Sequence, residues 1–207
     1  MHWQRVLHSI QITKQKLARL DARVGLPVTP PGGASLGEIA AVERKLGCPL
    51  PPSYRQLLSM HDGVPDLYQG ASLLSAHQLA GGTLVELARR VIARGDLGLS
   101  EGPERGPGTL LPFGVDPANE TIFAWDLSAP RKGGEPKVVL YTNEIGAQLE
   151  SFSGLLEFIL AMLEAEVEER FRARWPSVWR LLPPSLSLVA APTAPLPKDG
   201  DRAIFAA

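Results

Sequence analysis

Three strand-like segments follow one another in the second half of the chain with only short connections. They are 109–115 (TLLPFGV), 120–127 (ETIFAWDL) and 136–143 (PKVVLYTN), all rich in β-branched or aromatic residues. The spacers 116–119 and 128–135 hold the turn formers Asp, Pro, Asn and Gly. A parallel pair needs a crossover of a dozen or more residues, so these segments predict neighbouring antiparallel strands. AQLES at 147–151 predicts a fourth.

Amphipathic helices precede this sheet. The N-terminal segment has no uninterrupted apolar stretch of the kind a signal peptide needs, and its apolar residues share one helical face. They are Trp3, Val6, Leu7, Ile10, Leu17 and Leu20. We therefore expect a core-packed helix. Ser35 and Glu38 form a capping box for a second helix that Gly47 ends.

A third helix is predicted from the prolines at 51 and 52, which suit a first turn, and we expect Gly63 to end it. LYQGASLL at 67–74 predicts one short strand interrupted by a glycine. Thr83 and Glu86 form another capping box, opening a helix that Gly95 closes. Residues 95–108, rich in Gly and Pro, predict a surface loop.

The longest predicted helix is 152–174, whose apolar residues form one stripe. Its opposite face pairs Glu166 with Arg170 and Glu168 with Arg172 at i, i+4, which is typical of a solvated surface. After residue 175 the chain becomes rich in proline, which predicts an extended tail. The domain boundaries are therefore 1–175 for the folded unit and 176–207 for the tail.

Composition narrows the class of protein. The 207 residues are 44% apolar and 21% charged, as in an ordinary globular protein. One cysteine permits no internal disulfide, and no His/Cys spacing resembles a metal site, so we expect a cytoplasmic protein without a cofactor or metal. The net charge of −1 gives no overall field for nucleic acid or an anionic membrane. We therefore expect neither as a partner.

Cys48, His61 and Asp62 are the residue types of nucleophilic catalysis. A reactive cysteine needs a positioned base, and a helix separates Cys48 from His61. The pairs Asp62 with Asp66 and Asp116 with Glu120 suit turns as well as acid–base chemistry. We expect no enzyme.

The order of elements resembles the SUKH superfamily of Smi/Knr-type domains over roughly residues 1–172. Its signature is a Glu-containing helix, a small residue, Leu-Pro, a Tyr, a leucine pair and a Gly. The matching positions are Glu43, Gly47, Leu50, Pro51, Tyr54, Leu57, Leu58 and Gly63. Later similarities are Phe113 to Asp116, Phe123 to Asp126 and the Ser151-Phe152 pair. The 95–108 segment and the tail depart from the family pattern.

This resemblance implies an α+β fold: a SUKH-like single domain with helices packed against a mostly antiparallel sheet, and a proline-rich C-terminal extension. It also implies a non-enzymatic role. Bacterial relatives are typically immunity proteins that neutralise a toxin delivered between cells, often a nuclease or deaminase. Fungal relatives act as regulatory scaffolds, so a regulatory adaptor is the alternative.

An immunity protein of this kind would occlude its cognate toxin domain with the sheet face and loops. An acidic patch on this protein would attract a basic toxin and raise the association rate. The near-zero net charge of the chain weakens this electrostatic hypothesis. The candidate partner-binding residues are Asp62, Asp66, Asp116, Glu120 and Asp126. Each is equally explained as a turn or edge residue.

Overall fold

The computed structural model describes residues 2–24, 26–93, 109–118, 120–128, 134–141 and 146–174. The predictions made for Gly95, the 95–108 loop, the 175 boundary and the proline-rich tail lie outside these residues.

Six α-helices and six strands are present in this part of the chain. The helices are α1 (His2–Leu20), α2 (Leu36–Leu46), α3 (Pro52–Met60), α4 (Ala76–Leu79), α5 (Thr83–Ala93) and α6 (Phe152–Arg174), with a short 3-10 turn at Ala22–Val24. The strands are β1 (Val64–Tyr68), β2 (Ala71–Leu73), β3 (Leu110–Val115), β4 (Ile122–Asp126), β5 (Lys137–Tyr141) and β6 (Gly146–Leu149).

The strands form one sheet in sequence order, and every neighbouring pair is antiparallel. The predicted α+β class and antiparallel sheet are therefore confirmed. The single strand predicted at 67–74 is wrong, because the chain reverses there and forms the β1–β2 hairpin. Gln69 and Gly70 have φ of 47° and 84°, the positive values that a tight type I′ hairpin turn requires.

The helix boundaries follow the sequence closely, with two exceptions. The Ser35–Glu38 capping box and the left-handed Gly47 at the end of α2 are both present. The third helix ends at Met60, before the predicted Gly63, because His61 already has an extended backbone. The short helix α4 was not predicted, although Ser75 and Gln78 form a capping box there.

The start of α3 depends on a residue far away in sequence. Pro51, the N-cap, has no side-chain oxygen to cap the helix. The Glu135 carboxylate accepts hydrogen bonds from the Ser53 backbone N–H and hydroxyl, both at 2.8 Å. A carboxylate at a helix N-terminus also interacts favourably with the helix dipole. The segment before β5 therefore anchors α3.

The core is built around aromatic rings that join α3, the sheet and α6. Phe113 stacks on Trp125 with ring centroids 4.3 Å apart, and Tyr54 meets Trp125 edge-on at 4.9 Å and Phe152 at 5.5 Å. All five residues of β4 are buried, so both faces of this strand are shielded from solvent. Such edge-to-face pairs contribute about 1 kcal/mol each beyond simple burial.

Helix α1 docks against α6 along its length. Its predicted apolar face is buried, including Trp3, Ile10 and Leu17. At one end His2 contacts Glu157, and at the other Arg170 pairs with Asp21 while Arg174 donates to the Leu20 carbonyl at 2.8 Å. The two helices therefore run parallel.

The two signature glycines make separable predictions. Gly47 has φ +70° with open space where a Cβ would lie, whereas at Gly63 (φ +86°) a Cβ would be 2.7 Å from the Leu73 carbonyl oxygen. We expect Gly47→Ala to lower the free energy of unfolding by about 1 kcal/mol, the left-handed cost alone. Gly63→Ala adds a backbone clash and should cost about 3 kcal/mol. Urea denaturation measures both, and equal losses would contradict the assigned close approach at Gly63.

Candidate partner-binding site

The signature stretch between α2 and β1 is held by its own polar contacts. The Glu43 carboxylate accepts a hydrogen bond from the Leu50 N–H at 3.1 Å and lies 3.6 Å from the Arg55 guanidinium. Gly47 supplies the left-handed residue that lets the chain turn between them. Leu50, Leu57 and Leu58 are buried in the core. The signature therefore builds the joint between α2 and α3.

Tyr54 ties this joint to the sheet. Its fully buried hydroxyl lies 2.7 Å from the Leu74 carbonyl oxygen, to which it donates, and 3.1 Å from the Phe113 carbonyl oxygen. Burial raises the pKa of Tyr54 well above its ordinary value, with a smaller contribution from the nearby Asp62 carboxylate. The phenol therefore stays protonated and able to donate.

Cys48 and His61 lie beyond opposite ends of α3: Cys48 precedes its first residue and His61 follows its last. The nine residues of α3, which rise about 13 Å along the helix axis, separate the two residues along the chain. Among the described residues no group of three or more His, Cys, Asp or Glu is arranged to hold a metal ion. The catalytic interpretation of this stretch gains no support from the geometry.

Asp62 and Asp66 both have partners inside the protein. The Asp62 carboxylate accepts the Ala76 N–H at 2.7 Å, at the start of α4. The Asp66 carboxylate lies 2.6 Å from the ammonium of Lys14 on α1 and accepts the Gly70 N–H at 3.2 Å. Lys14 also donates to the Asp66 carbonyl oxygen. Each aspartate thus organises a turn while remaining partly exposed.

Asp116 and Asp126 are buried, although the sequence made them candidates for a partner surface. Asp116 accepts the Ala118 N–H at 2.8 Å within the β3–β4 turn. Asp126 accepts the Ser128 N–H at 3.0 Å and the Gln148 side-chain amide at 3.1 Å. Glu120, half-buried, occupies the left-handed region at φ 52°.

The five acidic residues do not form one patch. Asp66 and Asp116 converge on Gly70, whose Cβ position lies 3.1 Å from the Asp116 carboxylate. Asp126 is the last residue of β4, about 13 Å along the strand from the turn that holds Glu120. Asp62 lies beside α4. Partner binding by these residues stays a prediction, and burial makes Asp116 and Asp126 unsuited to it.

One concave surface lies outside these predictions. A groove of about 200 Å³ runs between α1, the connector to α2 and the end of α3. It is lined by Trp3, Gln4, Leu7, His8, Gln11, Pro30, Met60 and His61. Its five α1 residues recur at i, i+1, i+4, i+5 and i+8, the spacing of one helical face, and this spacing is its signal in the sequence.

Six antiparallel strands and helices joined through a buried tyrosine define an α+β domain whose signature residues are structural. The sequence model of the SMI1/KNR4 family (SUKH-1) matches residues 33–161, well over half of the 207-residue chain. The chain belongs to this family. A comparison with curated proteins found no match. Among the described residues no helix is long and apolar enough to cross a membrane.

The family match is narrower than the resemblance drawn from the sequence, which extended from residue 1 to 172. Helix α1 precedes the matched segment, and the C-terminal part of α6 follows it. Both nevertheless belong to the folded unit, because α1 buries seven residues and packs along α6.

The buried phenol of Tyr54 makes a pH-dependent prediction. Tyr54→Phe leaves the Leu74 carbonyl without its donor and should cost about 1–3 kcal/mol of unfolding free energy at neutral pH. The folded-state pKa is raised, so the unfolded chain ionises first and the wild type loses this stability as pH rises beyond about 10. The variant has no such group, so the stability gap should shrink above that pH.

Chemical denaturation of both proteins between neutral and alkaline pH measures this gap. The raised pKa of Tyr68, caused mainly by burial, is common to both proteins and cancels in the difference. A gap that stays constant through the alkaline range would contradict the buried, neutral phenol.

The Lys14–Asp66 pair is asymmetric, with side-chain exposures of 6% and 40%. Asp66→Asn keeps the shape and leaves a buried ammonium without its counter-charge, whereas Lys14→Met removes the charge and keeps the aliphatic stem. We expect Asp66→Asn to lose about 2 kcal/mol, discounted for the exposure of the carboxylate, and Lys14→Met to lose less. Thermal and urea unfolding of both, and of the double variant, test this. The double variant should recover part of the Asp66→Asn loss; additive losses would contradict the pairing.

Proposed function

We propose that this protein is a non-enzymatic immunity protein that binds a cognate toxin domain and neutralises it by occlusion. The observation that carries the proposal is the family match over residues 33–161, in which the signature residues are ordered as joint and core. The resemblance to bacterial immunity proteins supplies the kind of partner.

Occlusion needs a rigid scaffold rather than reactive groups. A binding surface that is ordered before association loses little conformational entropy on binding, so more of the contact energy appears as affinity. The aromatic core and the Glu135 cap provide such order around α3. The separation of Cys48 from His61 supports a mechanism without chemistry.

Of the sheet face and loops that the sequence favoured for occlusion, the centre of the sheet offers a partner little exposed surface. β4 is buried at every position and β5 at its three central residues. A partner therefore finds the sheet centre covered, and exposed residues lie on helix faces, on connecting segments and at Gln148 of the edge strand β6.

The test is co-expression with a candidate toxin, for which we would take the variable C-terminal domain of any large secreted protein that a neighbouring gene encodes. We expect restored survival and a stoichiometric complex, with inhibition that titrates against the amount of this protein. Because the proposed mechanism has no chemical step, active toxin should be recovered intact after the complex is separated. Cys48→Ser serves as the control variant and should protect as well as the wild type.

Unchanged toxicity together with no complex would overturn the proposal for that pair. Chemically altered toxin, or protection lost with Cys48→Ser alone, would indicate an enzyme instead. Stable capture of an endogenous signalling protein, without protection from the toxin, would favour the regulatory adaptor.

A further inference from the structure

The outward face of α1 is basic along most of its length. Arg5, His8, Lys16 and Arg19 are exposed, and with Ile12 they recur every three or four residues, which places them on one stripe. The helix contains no Asp or Glu. Its other basic residues have partners: His2 contacts Glu157 and Lys14 contacts Asp66.

The charges of this stripe are not neutralised by the part of the chain that the structure describes. Arg5, Lys16 and Arg19 form no ion pair with another described residue. Three permanent positive charges therefore face solvent along a helix in a protein whose net charge is −1. Such a local field attracts a partner of opposite charge and raises its association rate.

Exposed apolar side chains occur in the stripe itself, in the groove and in the connector that follows α1. Ile12 is 40% exposed within the stripe, and Met60, 42% exposed, lines the groove against α1. Leu26 and Val28 are 76% and 51% exposed. Because Val24 follows the end of α1 and Pro30 lines the groove near its start, residues 26–29 must run back alongside this helix.

We propose that this surface, the outward face of α1 with the adjoining groove, docks an acidic protein partner. The assignment rests on the proposed function, in which that partner is the toxin domain. Specific protein interfaces combine an apolar, desolvated centre with a polar rim and are enriched in Arg and Met. The stripe from Arg5 to Arg19 spans about 21 Å, a length suited to an interface of ordinary size.

A protein fits this surface better than the two other anionic partners. Nucleic-acid phosphates are bound by hydrogen-bond donors and gain little from Ile12, Leu26, Val28 and Met60. An amphipathic helix binds a membrane through its apolar face, and that face of α1 is buried in the core. The proposed interface is thus positively charged, whereas the sequence predicts an acidic patch.

The test compares two double charge reversals in the full-length chain. Arg5→Glu/Arg19→Glu alters the stripe, and Arg44→Glu/Arg90→Glu alters exposed residues of α2 and α5. Each Arg→Glu lowers the net charge by two, so both variants change it from −1 to −5. Arg5→Gln/Arg19→Gln provides a milder change. Circular dichroism melting establishes that each variant is folded.

Binding to the candidate toxin domain is measured by surface plasmon resonance at several salt concentrations. We expect the stripe reversal to raise the Kd by roughly tenfold or more, mainly through a slower on-rate. The on-rate of this variant should also depend less on the salt concentration. The glutamine variant should show a smaller loss, and the Arg44/Arg90 control should bind within about threefold of the wild type. Zero-length carbodiimide cross-linking should join the Lys16 amine to a carboxylate of the toxin.

The outcomes separate the inference from the proposed function. If the wild-type protein binds the toxin domain and both charge reversals bind it equally well or equally poorly, the α1 surface is overturned. The immunity proposal then still stands. A wild-type protein that does not bind the toxin domain overturns both. Stripe-dependent binding to a short RNA duplex or to phosphatidylserine vesicles, with toxin binding unchanged, also overturns the α1 assignment.

Discussion

The buried hydroxyl of Tyr54 is the interaction on which the rest of the structure depends. Its bond to the Leu74 carbonyl and its approach to the Phe113 carbonyl fix α3 against β3 and the end of β2. The ring beneath it contacts Phe113, Trp125 and Phe152, so the same residue also sets the position of α6. A family signature centred on a tyrosine thus has a physical cause: one side chain supplies both a buried donor and an aromatic centre.

Much of this fold could be predicted from the sequence because its determinants are local. Short spacers impose antiparallel neighbours, and the Ser35–Glu38 box and Gly47 fix the ends of α2. The features that the sequence does not predict arise from long-range contacts or from locally unfavourable backbone conformations. Glu135 caps α3 from 82 residues away, and Gln69 adopts a positive φ that a non-glycine residue seldom takes. No local pattern reveals either, so the sequence predicts one strand where the structure has the β1–β2 hairpin.

The candidate site was harder to predict, because turn-forming and partner-binding aspartates look alike in a sequence. A carboxylate in a loop can accept nearby backbone N–H groups, as Asp116 and Asp62 do, or it can remain available to a partner. Burial decides between these uses, and it is set by tertiary packing. The basic stripe of α1 was visible in the sequence, but only the docking of α1 on α6 shows which of its residues face outward.

In the proposed role of α1, stability and recognition depend on different faces of the same helix. Its inner face contributes Trp3, Ile10 and Leu17 to the core, while the residues of its outer face are exposed. Surface substitutions away from packed or capped positions usually change stability by less than about 0.5 kcal/mol. The outer residues can therefore vary in charge without unfolding the domain, whereas Tyr54 and its neighbours cannot. If α1 forms the proposed docking surface, specificity can change there while the matched segment, residues 33–161, keeps the same fold.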